Sequence, residues 1–281
     1  MIAVLGAGGQ LGTAFARLLG EEAHRVTRAE LDLAQLDSIV PWVGATRPDL
    51  VINCAAYTGV DAAEEDEDTA RAVNATAVGR LAEATASHGI GLVTFSTDYV
   101  FDGTKNAGYV ESDPPHPINV YGRTKLEGEH LALTAHPRAL VIRTSWVLSG
   151  THPNFASTMI DLISKGPVRV VDDQRGRPTL VDDLAVATLS AVDRGATGVL
   201  HLANQGVTTW YDLARQIAEL DGLDPTLVNP IGTSEYPRPA LRPANSVLDS
   251  ERLDDLGVTP LPHYADGLRH AVEQILARAG S

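Results

Sequence analysis

"MIAVLGAGGQLGTAFARLL", residues 1–19, decides the fold. A short apolar run meets three glycines at three-residue intervals, Gly6, Gly9 and Gly12, and a helical pattern continues through Ala14, Leu18 and Leu19. This is a strand, a glycine turn and a helix. The more familiar G-x-G-x-x-G spacing read from Gly6 would need a glycine where Leu11 stands, so the spacing here is G-x-x-G-x-x-G. Such glycines let the backbone turn tightly and approach a pyrophosphate. The helix start at Gln10 and Leu11 adds free N–H groups and the positive end of a dipole.

The alternation continues outward from this unit. "HRVT" (24–27), "DLVIN" (49–53), "GLVTFS" (91–96) and "ALVIRT" (139–144) read as strands. Helical patterns over 37–44, 68–88 and 120–135 separate them. Strands that are nearly continuous apolar runs, alternating with helices, predict a parallel sheet covered on both faces. The class is α/β, a doubly wound, Rossmann-type domain. Beyond Ser145 the texture changes, with Pro, Gly and paired charges over 164–179. A helix over 182–194, a strand over 198–203, a helix over 208–220 with a hydroxyl N-cap and a helix over 263–279 follow, and the four-proline stretch 229–245 reads as an ordered loop. The expected layout is a dinucleotide-binding domain over 1–147, with 180–203 and about 245–262 returning to it. Segments 148–179 and 204–244 form a smaller, discontinuous C-terminal substrate lobe.

Composition narrows the function classes. The chain has 281 residues, 44% of them apolar, which is enough for a full core. No apolar run approaches the ~18 residues of a membrane span. No basic segment precedes the N-terminal apolar run, so no secretory signal is expected. Cys54 is the single cysteine and cannot form an internal disulfide. A cytoplasmic protein is the expectation. The formal net charge of -14 argues against nucleic acid or an anionic membrane as partner. A small anionic ligand in a local basic pocket remains compatible with it. The nine histidines show no ligand-like spacing, so no metal is expected.

After the second strand, Arg28 stands where an arginine accepts the 2′-phosphate of NADP, which favours NADPH, with NADH possible. An exposed arginine without that role is the alternative. Asp32 and Leu33 are candidates for contacting adenine, or else a surface cap before the next helix. Ala55 and Ala56, followed by Tyr57, are small residues at the end of the third strand, where a dinucleotide lies close to backbone. The acidic run 64–68 suits a helix N-terminus and receives no catalytic role.

"STDYVF" (96–101) comes directly off the fourth strand, and "YGRTK" (121–125) opens the next helix. Ligands of open α/β sheets bind beyond the carboxyl ends of the strands, so both segments face the cofactor. Tyr121 and Lys125 share one helix face. A tyrosine with a pKa of about 10 is a poor proton shuttle at neutral pH, and an adjacent ammonium is expected to lower it. A hydroxyl such as Thr97 can stabilise a forming alkoxide. The set suits carbonyl reduction, with Tyr121 giving the proton.

With "NCAAYTGVDAAE" (53–64), "NVYGRTKLEGE" (119–129), "RTSWV" (143–147), "DDQRGRPT" (172–179) and "YPRPALRPANSVLD" (236–249), these residues resemble the dTDP-4-dehydrorhamnose reductase family. That family lies in the extended short-chain dehydrogenase/reductase superfamily, and the resemblance runs from Gly6 to about Asp249. It implies a catalytic triad of Thr97, Tyr121 and Lys125, and a sugar site lined by Asp98 and Trp146. Asn154, Arg175, Arg177, Arg238 and Arg242 fall in substrate-lobe loops, where arginines could meet a nucleotide diphosphate. Two departures stand out: Leu148 replaces a frequent aromatic, and Ala14 replaces a Glu used in metal-linked dimers of some members. A monomer without metal is therefore expected, acting on a dTDP-sugar. Two rivals remain: a sugar-nucleotide epimerase with bound NAD, and a non-catalytic regulatory subunit of the methionine adenosyltransferase type. An intact Thr97–Tyr121–Lys125 set argues against the second.

Overall fold

A computed structural model describes residues 1–279. β1 (Ile2–Leu5) leads through the glycine turn into α1 (Gln10–Leu19), followed by β2 (Ala23–Val26), α2 (Leu36–Thr46) and β3 (Leu50–Asn53). Then come α3 (Val60–Glu65), α4 (Glu67–Arg71), a π-helical turn (Ala72–Thr76), α5 (Ala77–Ser87), β4 (Gly91–Thr97), α6 (Val120–Ala135) and β5 (Leu140–Thr144). The second half contains β6 (Val147–Leu148), α7 (Phe155–Ile163), β7 (Val168–Val171), β8 (Arg175–Gly176), β9 (Thr179–Leu180), α8 (Val181–Asp193) and β10 (Gly198–His201). It ends with β11 (Thr208–Thr209), α9 (Trp210–Asp221), β12 (Val228–Ile231), α10 (Leu253–Leu256) and α11 (Tyr264–Ala279).

Six strands form one parallel sheet in the order β10-β5-β4-β3-β1-β2. The chain moves from β1 to β2 on one side, then crosses to β3 on the other. The switch point therefore lies between β1 and β3, where ligands of such sheets bind. Side chains alternate between the two faces. Ala3, Leu5, Val51, Leu92 and Val141 join one cluster with residues of α2 and α5. Their neighbours Val4, Ile52, Val93 and Ile142 join a second with Phe15 of α1 and Leu184 of α8. Burial on both faces is why these strands read as unbroken apolar runs.

A third cluster joins Leu148, Met159, Ile163, Leu213, Ile217, Tyr264 and Leu268. It brings together α7, α9 and the C-terminal helix α11, which the sequence layout left unassigned. Among the described residues, no helix is long and apolar enough to cross a membrane.

Three local readings are corrected. The helical stretch 68–88 is broken by the π turn around Asn74 and preceded by α3, which was not read. Part of the acidic run accordingly ends α3, while Asp66 caps α4 through Thr69 N–H. Helix α7 was also missed, because the Pro and Gly on either side mask its nine residues. The proline-rich stretch contains most of β12, which pairs in parallel with β7 in a two-stranded sheet. Pro230 is tolerated there because it lies on an edge.

Candidate functional site

The glycine turn is built by close contacts. Gly6 has φ 69°, and a Cβ there would lie 2.9 Å from Ala55 N. The loop after β1 therefore touches the loop after β3, and the two flank the switch point. Gly9 N–H donates to Gly6 O at 2.9 Å. A Cβ on Gly12 would fall 2.2 Å from Gly6 O. Gly9 caps α1 with extended backbone and no side chain, and no acidic residue occupies the helix's first turn. That leaves a helix start suited to an anion. Gly12→Ala is expected to weaken NADPH binding at least tenfold and to cost about 1–3 kcal/mol of stability. Calorimetric titration and thermal melting check this.

The Gln10 side chain is already engaged. Its Oε1 accepts from Ser149 Oγ at 2.9 Å and from Asn154 Nδ2 at 3.2 Å. His152 Nε2 lies 3.0 Å from Gly8 O. Leu11 packs against the second core cluster. Both Gln10 and Leu11 thus offer the turn their backbone rather than their side chains. Asn154 also donates to Ser149 O and His152 O, and caps α7 through Ala156 N–H at 2.9 Å. Its amide joins the lobe to the glycine turn.

At the end of β2, the Arg28 side chain is 82% exposed and pairs with Asp32 at 3.1 Å. Ala34 N–H and Arg28 hold the Asp32 carboxyl below the usual range. Leu33 does not face a groove: it is 4% exposed and packs in the first core cluster. Ala55 and Ala56 are half-buried at the carboxyl end of β3. Tyr57 is clamped by Asn74, which accepts from Tyr57 N–H at 2.9 Å and donates to Tyr57 O at 3.0 Å. Asn74 was not singled out in the sequence. Its signal was an asparagine in the middle of a helical pattern, where asparagine is poorly suited.

Thr97 ends β4. Its hydroxyl donates to Asp98 Oδ1 at 3.0 Å and accepts from Tyr99 N–H at 3.1 Å. Helix α6 is capped by Asn119, which accepts from Gly122 N–H at 2.7 Å, and by Glu64, which accepts from Val120 N–H at 2.8 Å. A Cβ on Gly122 would meet Tyr99 O at 2.1 Å. The glycine thus lets the first turn of α6 lie directly on the turn after β4, which brings Tyr121 to Thr97. Burial and the charge of Asp98 push the Tyr121 phenol up to about 12, opposed by the Thr97 hydroxyl.

The lysine behaves differently from expectation. Lys125 is 6% exposed and donates to Phe95 O of β4 at 2.5 Å. Burial pushes its ammonium down to about 8, opposed by Glu129. Lowering of the tyrosine by its i+4 lysine is therefore corrected. The long side chain runs to a strand carbonyl, and burial together with Asp98 dominates the phenol. Asp98 is 3% exposed, and its Oδ2 has no hydrogen-bond partner. Burial pushes it up to about 7, opposed by the nearby Ser246 and Thr97 hydroxyls.

Beside this centre opens a cleft of about 660 Å³ lined by Tyr99, Phe155, Trp210, Tyr236, Arg238 and Arg242, among others. The Tyr99 ring sits edge-on to Tyr121 at 6.1 Å, linking the cleft to the Thr97–Tyr121 pair. Trp146 was expected to line the sugar site. Instead it is 9% exposed, stacks on Trp210 at 3.6 Å and lies against Gly176. Trp210 is the indole that reaches the cleft. Leu148 is likewise buried and packs in the third core cluster.

The arginines divide. Arg242 pairs with Asp61 and lies beside the Tyr99 side chain. Arg238 lies 3.8 Å from Asp61 and over the Tyr236 ring. Both border the cleft. Arg177 is paired with Asp249, and Arg175 lies exposed on β8; neither lines this cleft.

The arrangement offers an anion-binding turn, a buried hydroxyl–phenol pair and a cleft with aromatic and guanidinium groups. A family model described as RmlD substrate binding domain matches residues 1–277. The chain is 42% identical over 282 residues to a dTDP-4-dehydrorhamnose reductase of Mycolicibacterium smegmatis, covering 98% of this chain and 86% of that protein. It is 43% identical over 281 residues to a probable dTDP-4,6-dihydroxy-2-methyloxan-3-one 4-ketoreductase of Streptomyces antibioticus, covering 98% and 95%. A crystal structure of dTDP-4-dehydrorhamnose reductase from Bacillus anthracis in complex with NADP superposes with a TM-score of 0.91. It is 32% identical and covers 99% of this chain and 98% of that one.

Proposed function

Because the chain belongs to the RmlD substrate binding domain family, we propose that it is an NADPH-dependent dTDP-4-dehydrorhamnose reductase. It reduces the 4-keto group of dTDP-4-dehydro-6-deoxy-L-mannose and yields dTDP-L-rhamnose. The observation that carries this reading is the meeting of Thr97 and Tyr121 at the carboxyl end of β4, beside a cleft bordered by Tyr99 and Arg242.

The residues fit a dinucleotide. Gly6 and Gly12 let the turn close on its own backbone where a Cβ would clash, and the start of α1 has no side-chain cap. The backbone of Gly6, Gly9, Gln10, Leu11 and Gly12 would hold the pyrophosphate, and Arg28 the 2′-phosphate. Ala55, Ala56 and Tyr57 would line the nicotinamide side. Bound NADPH supplies the hydride. Thr97 holds the ketone oxygen by its hydroxyl. Tyr121, kept neutral by its raised pKa, retains its proton until the alkoxide forms and then donates it. Lys125 orients the cofactor ribose. Asp98, with an unpartnered oxygen, offers an acceptor to a sugar hydroxyl.

The third core cluster, built from 148–179 and 204–244 with α11, serves as the substrate lobe. The protein acts as a cytoplasmic monomer. Its charge of -14 opposes polyanionic partners, so neither nucleic acid nor membrane is one.

The test is NADPH oxidation with the 4-keto sugar nucleotide generated in situ. Net consumption supports the reductase. Purification with bound NAD and no net consumption would instead indicate an epimerase, and no turnover at all a regulatory subunit. Arg28→Ala is expected to raise the KM for NADPH by about tenfold or more, the loss of one charge-assisted contact, while leaving NADH nearly unchanged. Steady-state kinetics with both cofactors reads this directly.

A further inference from the structure

One helical turn beyond Lys125, Glu129 is 3% exposed. It forms a two-pronged ion pair with Arg143 of β5, at 2.9 Å from Nε to Oε1 and 2.7 Å from Nη2 to Oε2. Ser96 of β4 donates to the same Oε1. Behind Arg143, His201 of β10 lies 3.4 Å from Nη1, and its backbone N–H donates to Glu111. A buried pair of this kind is weak evidence for stability, since apolar residues of similar volume often serve as well. Its position is more informative.

Asn74, Val78, Thr94, Ser96, Lys125 and Glu129 border a cavity of about 10 Å³. That leaves room for at most about one water molecule, so bulk solvent does not screen the charges. Among the described residues, Lys125 and Glu129 are the only charged groups lining it. The π turn and α5 contribute Asn74 and Val78, β4 contributes Thr94 and Ser96, and none of these is charged. Tyr121 lies on the same helix with Asp98 acting on it, and Arg143 and His201 lie on the far side of Glu129. Burial drives Lys125 towards its neutral form, and Glu129 is the charge that opposes this.

We propose that Glu129 is a positioning residue: fixed by Arg143 and Ser96, its carboxylate keeps the buried Lys125 side chain charged and directed along β4. This rests on the role proposed above for Lys125. A cation is thereby available at the cofactor ribose near neutral pH.

The test is the titration of Lys125 in the full apo chain, followed by NMR of labelled lysine ammonium groups. The chain has three lysines, Lys105, Lys125 and Lys165, so the Lys125 signal is the one lost in Lys125→Met. In Glu129→Gln its midpoint is expected to fall by about one pH unit, as removal of a close opposite charge requires. The alkaline fall of kcat/KM should move down with it. Since Glu129→Gln leaves Arg143 buried without a counter-charge, Glu129→Gln/Arg143→Met is measured beside it, with a shift in the same direction expected. An unchanged Lys125 midpoint in whichever variant folds overturns the proposal. A wild type without NADPH oxidation would overturn the reductase reading, while the NMR titration would still decide the role of Glu129.

Discussion

Tyr121→Phe should lower kcat/KM for the 4-keto sugar by about 10²–10⁴, the range for losing a positioned general acid. That corresponds to roughly 3–5 kcal/mol of transition-state stabilisation. NADPH affinity should change little, because the ring and its edge-on contact with Tyr99 at 6.1 Å remain. The phenol is pushed up to about 12 by burial and by Asp98, so the proton is on the ring throughout the physiological range. No alkaline limb from Tyr121 is therefore expected near neutral pH in the wild-type profile. Asp98, at about 7, is the group beside it that changes charge near neutrality. Stopped-flow and steady-state kinetics of the two proteins separate these effects. Full activity in Tyr121→Phe would remove the residue from the proton-donating role.

Lys125→Met should abolish turnover and yet make the apo protein more stable. The folded state holds Lys125 at about 8, against an ordinary lysine value of 10.5. A buried lysine with a lowered pKa contributes stability that is fully present above the unfolded value and lost as pH falls through the folded one. At pH 7 the wild type thus carries the full cost of burying the charge, about 3 kcal/mol for a shift of this size. Methionine fills similar space without that charge. The variant's advantage in chemical denaturation should be largest at pH 7 and shrink as pH rises from 8 to above 10. A variant less stable than wild type at every pH would show that the contact to Phe95 O outweighs the burial cost.

What could be read from the chain follows from how each signal is carried. The sheet was legible because both its faces are covered, so Val51 beside Ile52 and Val141 beside Ile142 leave unbroken apolar runs. Gly6, Gly9 and Gly12 were legible because their spacing is local. Helix α6 was legible over 120–135, and the structure adds Asn119 as its cap. The lobe was harder to read. Helix α7 is nine residues long, and β8, β9 and β11 have two residues each, too few to display a period.

Side-chain direction, unlike position, was not legible in the sequence. Trp146 and Leu33 occupy the expected segments but point into the core. Asn154 turned out to be tied to Gln10, 144 residues away, a pairing no local pattern displays. Lys125 shares a helix face with Tyr121, yet its ammonium donates to the strand carbonyl of Phe95. Sequence spacing shows neighbours, whereas burial decides which neighbour matters. The clamp of Asn74 on Tyr57 likewise depends on the π turn, which lies inside an otherwise ordinary helical pattern.

The central claim is that hydride reaches C4 of the sugar while Tyr121 protonates the oxygen. Its most direct test uses NADPH deuterated at the transferring position and the 4-keto sugar nucleotide, with the product read by NMR. Deuterium at C4 of a dTDP-6-deoxy-L-mannose, formed in step with NADPH loss and nearly absent with Tyr121→Phe, is expected. A product without deuterium at C4, or no product from the wild type, would contradict the account.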